Sequence, residues 1–249
     1  MTLSEILRTP ASLPPLNFFD LEKREVIENY AQDVAKFLKI AENAGVSIAT
    51  GNSKAWAILE TLPLDELKQI QNNFRSYRNS CEYAFQMSQS PNRQKALLWR
   101  MISELGLRPC SDLFDRLDET DIVEIYDVNF RQIFCNLNFF AVSSYTFEEL
   151  KHLPMAQLFD RPPELMGILM NEIMTVLKSD RPVTLQSTLP KHICKETQSI
   201  RRYIAEMNQG IISPLFDQNN QVVAVATSLS LKIFGKDKDH SVVRELSLS

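Results

Sequence analysis

The 249-residue sequence predicts an α+β protein: an N-terminal α-helical module followed by a five-stranded antiparallel sheet with helices on one face. Two observations predict it. Between about residues 20 and 108, apolar side chains recur at intervals of three and four, the period of helices that bury one stripe. After Asp112 the chain runs strand, strand, several helices, then three strands. Strands grouped around segregated helices give antiparallel neighbours rather than alternating βαβ units.

Residues 1–19 carry Pro10, Pro14 and Pro15 with little periodicity, and read as an extended arm with Phe18 and Phe19 as its docking point. Asp20 then caps a helix whose first turn holds Glu22 and Glu25, negative charge at the positive end of the dipole. Val26, Ile27, Tyr30, Val34, Phe37, Leu38 and Ala41 form its apolar face, and Gly45 ends it. A short apolar segment at 55–62 runs into Pro63. Asp65 opens a second helix striped by Leu67, Ile70, Phe74, Tyr77, Cys81 and Phe85, broken at Ser90 and Pro91. A third, at 92–105, presents Leu98, Met101, Ile102 and Leu105 and stops at Gly106. No helix-turn-helix signature separates any pair of these. The stripes suit a small bundle core or a dimer seam, and periodicity does not choose between them.

Beyond Asp112, short β-rich runs at 122–126 and 131–135 flank Asp127-Val128-Asn129-Phe130, which reads as a hairpin turn. Short helices follow at 146–152 and 155–159. Pro162 and Pro163 open a longer one at 164–178, with Leu165, Leu169, Ile173, Val176 and Leu177 apolar. Strand-like runs at 183–189, 199–215 and 222–231 complete the sheet, the last two joined by a turn at 217–221.

Composition narrows the function classes. Apolar residues make up 44% and charged residues 23%, which excludes wholesale disorder, collagen and a simple coiled coil. Six glycines argue against a Gly-rich nucleotide cradle, and a net charge of −4 advertises neither nucleic acid nor anionic membrane as partner. The longest apolar runs, such as 165–170, fall far short of the ~20 residues of a membrane span. The start, MTLSEILRTPASLPPL, lacks the features of a signal peptide. Cys81, Cys110, Cys135 and Cys194 form no CxxC pair and read as reduced, buried thiols, so a cytoplasmic location is expected.

A family resemblance rests on specific residues. The stretch Ile133-Phe134-Cys135-Asn136, then Phe139-Phe140, then Ser144-Tyr145-Thr146-Phe147-Glu148-Glu149-Leu150 is similar to the PAS pattern. That pattern is a strand, an Asn, an aromatic a few residues on, and Gly-Tyr-Ser/Thr-x-Glu-Glu-Leu. Ser144 stands where the family prefers Gly. Further on, Ser213-Pro214-Leu215-Phe216-Asp217, a turn, and Val222-Val223-Ala224-Val225 resemble the hairpin that closes such domains. The match covers roughly 112–235 and implies the PAS sensory fold. The residues also make physical sense alone. Asn136 can turn the chain out of a strand by side-chain to backbone bonds. Thr146 with Glu149 three residues on is a capping box.

The resemblance implies binding of flavin, haem, small acids or nothing. The reactive cysteine motif of flavin photosensors is absent, and 164–178 holds no histidine to ligate haem, so no cofactor is expected. His192 and Cys194 form an H-x-C pair without further ligands, read as a surface loop rather than a metal site. No GxSxG, GxxxxGK[ST] or HExxH motif is present, and no enzyme is predicted. The run 239–246 resembles the phospho-acceptor box of sensor kinases, but without an ATP-binding domain after it a tail is the plainer reading.

The aromatic set Phe134, Phe139, Phe140, Tyr145 and Phe159 is a candidate cavity lining, although aromatics at such positions are more often plain core. Arg201, Arg202 and Tyr203 are placed on the fourth strand. There Tyr203, Ala205 and Met207 share one face by the period of two, with Arg202 on the other. Leu169 and Ile173 on the long helix complete the candidate ligand-binding residues. Six basic residues and one acid between Lys68 and Arg100 stand against seven acids and one base between Asp112 and Asp127. These are two solvated faces, or the helical module docked on the entry segment of the sheet.

The expected organisation is therefore an arm at 1–19, a helical module at 20–110, a PAS-like sensory domain at 111–235 and a tail at 236–249. The expected function is non-enzymatic and sensory. A homodimer would bind a small apolar or aromatic ligand, or a protein partner in a signalling pathway, and signal by contact. The alternative is an interaction adaptor on a PAS-like scaffold with no ligand.

Overall fold

A computed structural model describes residues 18–43, 46, 48, 57, 59–86, 93–179, 183–197, 199 and 202–236. The predicted arm over 1–17, the helix stop at Gly45, the run 239–246 and Arg201 lie outside the described residues, as do the side chains of Phe85 and His152. The architecture is α+β.

Three helices come first: α1 (Phe18–Asn43), α2 (Leu64–Gln86) and α3 (Arg93–Glu104). Phe18 and Phe19 belong to α1 rather than to an extended arm, and Asp20 lies inside the helix rather than capping it. No proline or glycine lies between Pro15 and Gly45, so no helix breaker keeps Phe18 and Phe19 out of the helix. The apolar stripes of α1 and α2 meet each other. Tyr30, Phe37, Leu67, Phe74 and Cys81 are fully buried, and the Tyr30 and Phe74 rings lie 5.2 Å apart. Asp33, itself buried, accepts hydrogen bonds from Arg75 Nε at 3.3 Å and from Arg78, which ties the two helices on their polar side. Gly106 ends α3 with φ of 65°, and the Leu107 N–H turns back to the Ile102 carbonyl at 3.0 Å.

The remaining chain builds one antiparallel sheet around five helical pieces. In order these are β1 (Arg108–Pro109), a 3₁₀ turn (Phe114–Arg116), β2 (Ile122–Asp127), β3 (Gln132–Cys135), α4 (Leu137–Val142), α5 (Phe147–His152), α6 (Met155–Leu158) and β4 (Phe159–Asp160). Then come α7 (Pro163–Leu177), β5 (Leu185–Gln186), β6 (His192–Glu196), β7 (Tyr203–Phe216) and β8 (Val222–Lys236). The sheet runs β3-β2-β8-β7-β6-β4, while β1 and β5 add short pairings to β7.

Five strands is thus not the full count. β1, β4 and β5 have two residues each, too short for any period to register. The expected strand at 183–189 is in register with β7 only at Leu185 and Gln186, and although the Ser187 N–H still reaches the Gly210 carbonyl at 2.9 Å, several of its side chains bond away from the sheet. Thr184 donates to Asp112, and Ser187 and Thr188 donate to Glu172 on α7. Conversely, His192–Glu196 is a strand and not a surface loop. Its apolar Ile193 is 64% exposed while His192, Cys194 and Glu196 are buried, an inverted alternation. α4 also went unpredicted, and Arg202, with φ of 49°, stands outside β7 rather than on it.

Register fixes two faces, since cross-strand neighbours share a face. Glu124 opposes Thr227, Met207 opposes both Leu231 and His192, and Cys194 opposes Ala205. These lie on one face; Ile125 and its neighbours Phe134 and Ala226 lie on the other. Where β7 bulges, Gly210 is required: a Cβ there would sit 2.3 Å from Ser228 Oγ, which accepts the Ile211 N–H.

The helices and the sheet share one apolar core. Phe147 at the start of α5 contacts Phe37 (4.9 Å between ring centres), Phe74 (5.0 Å), Tyr77 (5.3 Å) and Phe140 (4.4 Å). The helical stripes are therefore core within one chain. On α7, Leu169, Ile173 and Val176 are buried as the spacing predicts. Leu169→Asp or Ile173→Asp buries an unpaired carboxylate at a cost of roughly 3–5 kcal/mol, a large share of a domain's stability. Thermal melting should show loss of the cooperative transition or a large drop in Tm; an unchanged Tm in both would place the stripe in solvent.

Candidate functional site

The candidate residues divide into two groups. Phe134, on the face opposite Met207, packs against Tyr77 of α2 at 5.7 Å, and Phe139 stacks edge-on to Phe140, which meets Phe147. These three rings join the aromatic contact with the helices. Tyr145 and Phe159 pair separately, at 6.1 Å and nearly perpendicular. Phe159 lies under the guanidinium of Arg161 at 5.3 Å, and Arg161 Nη2 donates to Met207 Sδ at 3.0 Å. Phe159 and Met207 are thus brought together around a residue that the sequence reading passed over. Leu169 and Ile173 are buried on α7, and Tyr203 is half-buried at the start of β7.

Arg161 belongs to a buried polar cluster on the Glu124 face. Glu124 is 2% exposed; its Oε1 accepts from Tyr126 Oη at 2.7 Å and from Gln132 Nε2 at 2.6 Å. Burial pushes the Glu124 carboxyl above the ordinary range, opposed by the bond from Tyr126, the field of Arg161 and the bond from Gln132. Arg161 is 9% exposed, and its Nε and Nη1 are buried without a hydrogen-bond partner. His192, the cross-strand neighbour of Met207, bonds the Pro190 carbonyl through Nδ1 at 2.9 Å, while its Nε2 is buried and unpartnered.

The other buried carboxylates contrast with this. Glu196 accepts from the Ser144 N–H (2.9 Å) and Oγ (2.5 Å), from Ser199 Oγ (2.6 Å) and from the Tyr203 N–H (2.9 Å). Glu172 accepts from Ser187 Oγ and from both the N–H and Oγ of Thr188, all at 2.6–2.7 Å. Those groups pin loops to the sheet. Asn136 takes the Val123 N–H at 3.1 Å and gives to the Asp121 carbonyl at 2.7 Å, and Thr146 with Glu149 closes a capping box, as their spacing predicts. The Cys81 thiol is pushed far up by burial and Cys194 up to about 11, so both stay protonated. Among the described residues no cluster of His, Cys, Asp and Glu could hold a metal.

A cleft of about 330 Å³ opens beside Arg161, walled by Gln157, Phe159, Asp160, Pro163, Met166 and Thr197 among others. Its size lies at the lower end of the ~300–1,000 Å³ typical of small-molecule sites. The opposed charge runs meet at Glu119. Glu119 accepts the N–H groups of Gln94 and Lys95 at the start of α3, and Lys95 Nζ reaches the Phe114 carbonyl. Lys68, Arg75, Arg78 and Arg100 instead pair with Glu22, Asp33 and Glu104 of the helices themselves.

No family model matches the chain, and neither does any curated protein. Among solved structures it is similar to a sensory box sensor histidine kinase from Vibrio cholerae, at 16% identity over 49% of this chain and 87% of that one, with a TM-score of 0.33. It is also similar to an RNA-binding light-oxygen-voltage receptor, at 10% identity over 86% of this chain and 59% of that one, again with a TM-score of 0.33.

The Glu124 carboxyl gives a signed test. A carboxyl raised above its ordinary value of 4.5 contributes stability that is full below that value and lost as pH rises through the folded value. Glu124→Gln loses nothing over that range. The Tm of the variant relative to the native protein should therefore rise between about pH 4 and pH 7. A difference that stays flat with pH would show that no uncompensated charge is buried there.

Proposed function

We propose that this chain is a PAS-like regulatory protein, cytoplasmic and non-enzymatic, that senses a small ligand against its sheet and signals by protein–protein contact. The antiparallel hairpin β2–β3, the helices inserted between it and β6, and the long β7–β8 pair support the resemblance, as do Asn136 and the Thr146–Glu149 box in the structural roles their positions require. The four cysteines, free and buried, suit a reducing compartment. The observation that carries the reading is Arg161. A permanently charged guanidinium, buried and short of acceptors beside an open cleft, is costly unless a ligand completes it.

A route for the signal runs through two sets of rings joined by the backbone of 145–147. Phe159 under Arg161 touches Tyr145, and two residues on, Phe147 stands at the centre of the contact with α1 and α2. A ligand that repositions Arg161 would bear on Phe159 and so on the seat of the helices. Output then passes through the surface of the helices, where a homodimer contact or a partner would read it. The buried stripes are unavailable for that contact, which leaves exposed Leu21, Tyr83 and Trp99.

Native mass spectrometry with an absorption spectrum of the purified protein tests this reading. The expected result is a mass of about 57 kDa, twice the 28.6 kDa chain, carrying a small retained molecule and absorbing only in the aromatic band. A monomer that carries nothing would favour the adaptor, and a flavin or Soret band would overturn the expectation of no chromophore.

A further inference from the structure

We propose that the outward face of α7 is the surface on which this chain meets a second copy of itself, the two helices packing antiparallel about a two-fold axis at Asn171. On the regulatory reading above this is the homodimer contact, and exposed Leu21, Tyr83 and Trp99 are left to a partner. α7 is more apolar than a helix with one buried stripe requires. Of its 15 residues only Glu164, Asn171, Glu172 and Thr175 are polar. Glu172 is buried against Ser187 and Thr188, and Thr175 turns its hydroxyl back to the Asn171 carbonyl at 2.7 Å. Leu169, Ile173 and Val176 are buried, and Leu165, Met170 and Leu177 lean on the same core. Gly167 and Ile168 are left exposed, Ile168 at 38%, with Met174 half-exposed beside them.

The spacing and the charges select the occupant. Glu164, Ile168, Asn171, Thr175 and Lys178 recur every three or four residues and share one face ~21 Å long, with Gly167 and Met174 along its side. Asn171 is the midpoint of that face. Among the described residues neither Glu164 nor Lys178 belongs to an ion pair. An antiparallel copy brings Glu164 against the partner's Lys178 twice over, and sets the two helix dipoles head to tail. The same two-fold seats Met174 over the partner's Gly167, where the missing side chain leaves open space, and Ile168 against the partner's Thr175. On the axis the two Asn171 amides can each donate and accept. A face that complements itself is what an isologous dimer needs. Met166 in the first turn of α7 walls the cleft beside Arg161, so a molecule bound there bears on this contact through one helical turn. Two helices of this length fall below the ~1,200 Å² of a standard interface, which sets the expected Kd in the micromolar range.

Sedimentation equilibrium of the full chain, from low to high micromolar concentration, tests the contact. The native mass should climb from 28.6 kDa towards about 57 kDa. Ile168→Glu should stay monomeric throughout while melting as the native monomer does, because the position is exposed within one chain. Glu164→Lys should weaken association about tenfold, and adding Lys178→Glu should restore it to within about threefold of native. Asn171→Cys should cross-link as a disulfide dimer in air about tenfold faster than Ile193→Cys, which is exposed on the sheet, the four native cysteines being buried. A native chain that stays at 28.6 kDa, a dimer that survives Ile168→Glu, or a double variant no better than Glu164→Lys overturns the contact. The sensory reading is judged separately, by the molecule retained in native mass spectrometry. A monomer that retains one overturns the α7 contact alone, and an α7 dimer that retains none upholds the contact against the sensory reading.

Discussion

The structure depends on one ring. Phe147 sits where α1, α2, α4 and the start of α5 converge, in contact with four other aromatic rings. Each such pair adds ~0.5–1.5 kcal/mol beyond the apolar area it buries. Beside it, Phe134 of β3 packs on Tyr77 of α2 at 5.7 Å, so the same seam joins the helices to the sheet edge. One local and one distant contact hold the Phe147 ring in place: the Thr146–Glu149 capping box fixes the first turn of α5, and Glu196 holds the Ser144 backbone just before it. A polar network thus positions an apolar seam.

Two kinds of buried charge follow different rules in this chain. Glu196, Glu172 and Asp33 are each held by two or more donors, and each joins segments far apart in sequence. Arg161, among the described residues, is held by a sulfur and a ring alone. Local rules of satisfaction are broken chiefly where function requires it, and the rest of the fold supplies the stability that such a site gives up.

The long, strongly periodic pieces of the fold were legible. The α7 stripe, the hairpin at Asp127 and the turn at Asp217 each follow from a local pattern: a 3.6-residue period in one case, and in the others an Asp side chain accepting N–H groups two and four residues ahead. β6 was not legible because His192 and Glu196 point inward and Ile193 outward, the reverse of the usual alternation. What buries them is pairing with β7 and, for Glu196, the donors of Ser144, 52 residues away, which no local pattern shows. Of the candidate site, Phe159 and Met207 were found as apolar residues on a strand or helix end. Arg161 was not, since an arginine between Asp160 and Pro162 has the local signature of a solvated loop. Glu124 was hidden likewise in a run where both faces of the strand are buried.

Hydrogen exchange followed by mass spectrometry on the native chain and on Phe147→Ala tests most directly whether helices and sheet are one cooperative body. With a single core, amides of α1 and α2 are protected to the same free energy as those of β2 and β8, and the substitution lowers all four together. Protection lost from α1 and α2 alone, with β2 and β8 unchanged, would contradict a shared core and with it the path from Arg161 to the helices.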